Sequence, residues 1–261
     1  MASRKRSLLP DVYKQKRRCL IPVNKDVSGE LVNEHAWDVP TDTKASLLFL
    51  KISFPQEKFE DRIPPIVMKH QLYSIIHNRT IVDKHVNDLR ESGDVKLFRL
   101  GADADESCIV FTEDYQRHCL RVMADLKIDQ AIIDKFTETI VKKCKDISLD
   151  KETLINTYLF TDKEITELIK SSVLTVRDVG SWWLAIPNAG VFMKSFVKGR
   201  KFILTMLRKC KYKQVLQKEL EQRKWPKLAR LGIMYHVNDI IGADLVVRVQ
   251  TTSGVLLRLK D

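Results

Sequence analysis

Lys194, Lys201 and Arg208 recur every seven residues, and Lys198 and Lys211 fall close to their line. If Asn188 to Lys213 forms one helix, at about 100° per residue, these five cations share an arc of roughly 140°. Phe196, Ile203, Met206, Leu207 and Cys210 then project from the opposite side. Such a helix buries an apolar stripe and presents a row of fixed positive charges, whose chemistry is the neutralisation of a polyanion. Arg200 on the same helix is counted with the row. Arg223 and Lys224, beside Trp225 and Pro226, follow the next helix and extend the surface, with Lys227 and Arg230 just beyond.

A charge run can also be a mere solvated face, so its balance of signs matters. Residues 198 to 230 hold twelve Lys and Arg against Glu219 and Glu221, twelve minus two or +10. Residues 1 to 20 hold seven against Asp11, seven minus one or +6. The whole chain carries +11, so the other 208 residues sum to −5. Two segments therefore hold the entire positive excess, without the alternating signs of a self-paired surface. Double-stranded nucleic acid supplies the required partner, since each neutralised phosphate releases counterions.

Other chemistries find no residues to carry them. The glycines, at 29, 93, 101, 180, 190, 199, 232, 242 and 254, never take the spacing of a phosphate-cradling loop. There is no His-Arg-Asp, no Asp-Phe-Gly, no Val-Ala-Ile-Lys lysine, no G-x-S-x-G and no H-E-x-x-H. An ordinary protein kinase is thus disfavoured, and no catalytic residue, cofactor or metal is expected. The five cysteines lack C-x-x-C spacing, which points to reduced thiols and no zinc. His70, His77 and His85 sit in predicted helices and read as packing or surface residues. Apolar runs fall far short of 18 residues and no leader pattern opens the chain, so it is expected to be soluble, not secreted and not in a membrane.

The elements that must position the cations repeat a theme. Residues 1–33 read as a disordered basic tail, in which Lys14, Lys16, Arg17 and Arg18 resemble a nuclear localisation signal. Ile66 to Ile76 is predicted to be a helix after Pro64 and Pro65, Arg79 to Gly93 a second, and DVKLFRL with SCIVFTE a hairpin. Thr161 and Glu164 form a capping box for a helix to Ser171, followed by the hairpin of VLTV and WWLAIP. Tyr235 to Ala243 then leads into LVVRVQ, a TTSG turn and VLLRL. An isolated two-stranded ribbon is marginal in water, so each must pack on its helices, which is the plan of a winged helix. The predicted fold is α+β: three tandem winged-helix domains, mostly helical, with a two-stranded wing in each. Their expected bounds are 34–121, 122–193 and 194–261. The helices in the recognition position mix charges or, in Tyr235 to Ala243, lack Lys and Arg altogether, so backbone contacts with little sequence choice are expected. In the middle hairpin Trp182, Leu184 and Ile186 share one face and Trp183 the other. One tryptophan, Trp183 or with the faces reversed Trp182, should be covered by a neighbouring domain or a partner.

GSWWLAIPNAGVFMKSFVKGR, TMLRKCKY, LGIMYHVNDIIGA, TTSGVLLRL, PPIVM and FTEDY closely resemble the vertebrate winged helix repair factors, conventionally named serine/threonine kinase nineteen. The likeness covers nearly the whole chain. It implies a nuclear, chromatin-associated protein of three winged helices that binds DNA in transcription-coupled nucleotide excision repair. The partners it implies are stalled RNA polymerase II, the Cockayne syndrome ubiquitin ligase and the helicase-containing transcription and repair factor, and a homodimer is compatible with it. By the same resemblance Arg208, Lys211, Arg223 and Lys224 are DNA-binding positions. At the last the relatives have arginine, whose planar fork lysine lacks. The kinase of the conventional name, and a scaffold that meets only acidic proteins, are the alternatives.

Overall fold

A computed structural model describes residues 42–101, 107–227 and 229–260. The basic tail with Lys14, Lys16, Arg17 and Arg18 lies outside the described residues. The chain begins with helix α1 (Thr43–Ile52), whose first turn is capped where the Asp42 carboxylate accepts the Ala45 N–H at 3.3 Å. Strand β1 (Val67–Met68) and a 3₁₀ helix (Lys69–Ser74) occupy the stretch expected to be one helix. Pro64 and Pro65 favour extended backbone before them, and Val67 and Met68 pair with Ile109 and Cys108. The ladder bonds gained there outweigh a helical preference spread over few residues. Helix α2 (Arg79–Ser92) follows as predicted, capped by Asn78 and ended at Gly93, which turns the chain at φ 85°. Strands β2 (Val95–Arg99) and β3 (Ser107–Phe111) form the hairpin, and β1 joins it in the order β1-β3-β2.

Helix α3 (Thr112–Asp125) and helix α4 (Gln130–Phe136), which runs on into a π turn, lead to strand β4 (Ser148–Asp150). Lys96 of β2 is buried and its ammonium donates to the carbonyls of Ile140 and Cys144, which ties the first sheet to the end of that π turn. Helix α5 (Asp162–Lys170) carries the predicted capping box. Thr161 Oγ1 accepts the Glu164 N–H at 3.3 Å, and the Glu164 carboxylate accepts the Thr161 N–H at 2.7 Å. Strands β5 (Leu174–Asp178) and β6 (Ser181–Leu184) complete a second sheet, β4-β6-β5. Trp182 packs against the main core with Leu184 and Ile186. Trp183 faces the other way, between Arg177 of its own hairpin at 4.6 Å and Arg99 of the first sheet at 5.3 Å. Tyr115 and His118 of α3 bond the carbonyls of Ala185 and Pro187 at 2.9 and 3.0 Å, so the end of this hairpin is fastened to the preceding elements.

Helix α6 (Ala189–Lys209) is the longest described, at 21 residues or about 30 Å. Strand β7 (Gln214–Leu216), helix α7 (Gln217–Glu221), helix α8 (Ile233–Gly242) and strands β8 (Val246–Thr251) and β9 (Gly254–Leu259) give a third sheet, β7-β9-β8. The architecture is α+β, rich in helix, with small antiparallel sheets compatible with winged helices. Each predicted two-stranded ribbon is the outer part of a three-stranded sheet, because a short strand from upstream pairs with its second strand. The bounds expected at 121/122 and 193/194 fall inside α3 and α6. One apolar cluster runs from Phe54 through Phe136, Leu184 and Phe192 to Tyr235, with a second cluster under the third sheet and a third beneath α1 and α2.

Helix α8 explains its own lack of cations. Tyr235 to Ile240 are all buried, and the helix lies on the 3₁₀ turn of Lys69–Ser74. Gln71 donates to the Tyr235 carbonyl at 3.0 Å, and the Tyr235 hydroxyl donates to the Ile66 carbonyl at 2.9 Å. Gly242 is required by the approach: a Cβ there would sit 1.9 Å from the His70 carbonyl oxygen. The helix expected in the recognition position of a third winged helix is spent on an internal contact.

Candidate nucleic-acid interface

The apolar stripe predicted for α6 is the one that is buried. Phe192, Phe196, Ile203, Met206 and Leu207 face the cores, while Lys194, Lys198, Lys201, Arg208 and Lys209 are exposed. The helix stops earlier than expected. Cys210 is extended, and Lys211 lies beyond the last turn rather than in the helical row, because Tyr212 and Lys213 reverse the chain into β7. Lys211 remains exposed at the end of the row.

The loop that carries Arg223 and Lys224 is tied to α6 through Trp225. Its indole stands edge-on to Phe202 at 5.2 Å and donates to the Ala229 carbonyl, and its ring lies 5.6 Å from His236. Phe202 follows Lys201 directly, so the half-buried tryptophan pins its loop beside the middle of α6 and leaves Arg223, Lys224 and Lys227 outside. Arg230 is withdrawn: its guanidinium donates to the Lys58 carbonyl at 3.1 Å and lies over Phe59. Among the described residues, Lys198, Lys201, Arg208, Lys211, Arg223 and Lys224 form no ion pair with a carboxylate. Six exposed cations thus keep their charge for an external anion.

Arg200 corrects the reading of the row. It makes a bidentate pair with Asp239, Nε to Oδ2 at 2.8 Å and one guanidinium N–H to Oδ1 at 2.5 Å, and it lies 4.5 Å over Phe196. Asp239 is fully buried, and His70 donates to it at 2.6 Å. Burial alone would push this carboxyl up, but the hydrogen bonds and charge of Arg200, with the neighbouring His236 and His70, hold it below the usual carboxylate range. The pair joins α6, α8 and the 3₁₀ turn, and Arg200 is a structural residue. The helical wheel contained the signal. Arg200 lies about 100° from Lys201, near Leu207 on the buried flank, and the lone acid in VNDIIG was its partner.

Comparison with known proteins agrees with this arrangement of helices and small sheets. The family model described as "Inactive serine-threonine protein kinase 19" matches residues 35–259. The chain belongs to this family. Among its relatives, the human protein called Winged helix repair factor 1 is 41% identical over 263 residues, covering 100% of both chains. The Mus musculus protein of that name is 47% identical over 208 residues, 80% of this chain and 82% of its own. The Xenopus laevis one is 37% identical over 258 residues, 99% of each. Both the inactive kinase of the family's description and the repair factor of the relatives' names accord with a chain lacking kinase motifs.

Proposed function

We propose that this family member is a nuclear, chromatin-associated protein of three tandem winged-helix domains that binds the duplex DNA backbone with little sequence choice. It acts in transcription-coupled nucleotide excision repair, bridging stalled RNA polymerase II, the Cockayne syndrome ubiquitin ligase and the helicase-containing repair factor. The observation that carries the DNA reading is the set of exposed cations without acidic partners, from Lys198 and Lys201 through Arg208 and Lys211 to Arg223 and Lys224. Phosphate contacts position a protein without reading bases, and the burial of α8 removes the helix that would read them. The relatives' names support the repair setting.

The test is affinity for a random-sequence duplex over a salt series, beside the double variant Arg208→Glu, Lys211→Glu. Six phosphate contacts give a log–log slope of about −5, and loss of two makes it shallower by about 1.8 units. Equal binding by wild type and variant, or no binding by either, refutes the site.

A further inference from the structure

Where α6 ends, the chain does something a polar turn does not need. Cys210 is extended, and then two consecutive side-chain-bearing residues, Tyr212 at φ 60° and Lys213 at φ 52°, take the left-handed conformation before β7. The Lys213 N–H closes the turn on the Cys210 carbonyl at 3.0 Å. Glycine or asparagine is the usual occupant of such positions, because a larger side chain crowds the backbone there. A bulky aromatic would normally be repaid by burial, yet Tyr212 is 72% exposed. The Lys211 ammonium lies 5.0 Å from its ring centroid, and Arg208 and Lys209 are exposed just upstream. Strained positions held by their surroundings cluster at functional sites.

We propose that Tyr212 is a stacking platform for an unpaired nucleobase, so that the cationic surface prefers nucleic acid containing a single-stranded stretch over a fully paired duplex. The proposal rests on the backbone-binding reading of that surface and names the form of nucleic acid it takes. An exposed ring among cations is the combination that single-strand binders use: the flat face accepts any base, and the flanking charges hold the adjoining phosphates. Lys211 occupies one face of the ring, and the base stacks on the other. In a paired duplex the bases are stacked on each other, so Tyr212 contributes nothing to binding there.

The experiment measures affinity of the full chain for three probes at one salt concentration: a paired duplex, the same duplex with a central four-nucleotide mismatched bubble, and that bubble made of abasic sites. Wild type is expected to bind the base-containing bubble about tenfold more tightly than the duplex. Tyr212→Ala should erase that preference with duplex affinity within about twofold, Tyr212→Phe should keep it, and the abasic bubble should bind like the duplex. Equal bubble preference in wild type and Tyr212→Ala, an abasic bubble that binds as well as the base-containing one, or no preference in wild type overturns the platform. Duplex binding that persists in those cases leaves the backbone reading intact. A Tyr212-dependent bubble preference without measurable duplex binding supports the platform and sinks that reading.

Discussion

Arg200→Met separates structure from ligand binding most directly. The substitution keeps a long side chain on α6 but removes the guanidinium from Asp239, whose side chain is fully buried and keeps His70 as donor at 2.6 Å, with His236 4.0 Å away. Breaking one side of a buried ion pair destabilises a protein by about 3–5 kcal/mol, because the other charge stays buried without compensation. Arg200 is 23% exposed, so water relieves little of this. For a chain of this size the loss amounts to a fall in Tm of roughly 6–20 °C. The pH dependence has a definite sign. Asp239 is held below its ordinary pKa in the native protein, so its contribution is present above the unfolded value of about 4 and is lost only as pH falls through the lower folded value. In the variant, burial acts against the charged carboxylate with less opposition, so its pKa rises and protonation relieves the variant first. The gap in unfolding free energy should therefore narrow between pH 7 and about pH 4. Urea denaturation at several pH values measures it, with duplex affinity taken where both proteins are folded. A deficit under about 1 kcal/mol, or one that ignores pH while duplex affinity collapses, would return Arg200 to the DNA-binding row and refute the reasoning.

Two glycines should respond oppositely in the same assay. Gly242→Ala drives a Cβ into the His70 backbone and should destabilise by about 3 kcal/mol, whereas Gly190→Ala near the start of α6 meets nothing within 4 Å and should stabilise by about 0.5–1 kcal/mol. A benign Gly242→Ala would mean that α8 and the 3₁₀ turn do not touch. Burial pushes the Cys119 thiol up to about 12 and raises Cys108 further still, while Cys210 is only half-buried. Brief maleimide treatment of the native protein at pH 7.5, mapped by peptide mass, should label Cys210 and spare Cys108, Cys119 and Cys144 until denaturant is added. Labelling of Cys119 at the rate of Cys210 would contradict the core.

The elements that were legible in the sequence are those with a local cause. The box of Thr161 and Glu164, the helical run from Arg79, and the alternating strands of the hairpins announce themselves within a few residues. What escaped is non-local. Strands of two or three residues such as β1, β4 and β7 have no period of their own and exist because a distant hairpin offers them a ladder. The exposed cations of the site were visible from charge and spacing, since nothing in the fold had to be known to count them. The fate of Arg200 was only half visible: the wheel set it on the buried flank, but its partner lay 39 residues away in an apolar helix. Strand alternation set Trp182 and Trp183 on opposite faces but left open which was the outer one; packing of Trp182 on the main core and Arg99 of the first sheet beside Trp183 decide it.

The seat of α8 on the 3₁₀ turn also sets a schedule for the protein's birth. Gln71 and Tyr235 are 164 positions apart, and His70 and Asp239 are 169 apart. Translation at about 5–20 residues per second leaves the early turn waiting on the order of ten to thirty seconds for the helix that covers it. Throughout that interval the patch around Ile66, His70 and Gln71 has no α8 to cover it, so this contact is among the last long-range pairings that synthesis permits.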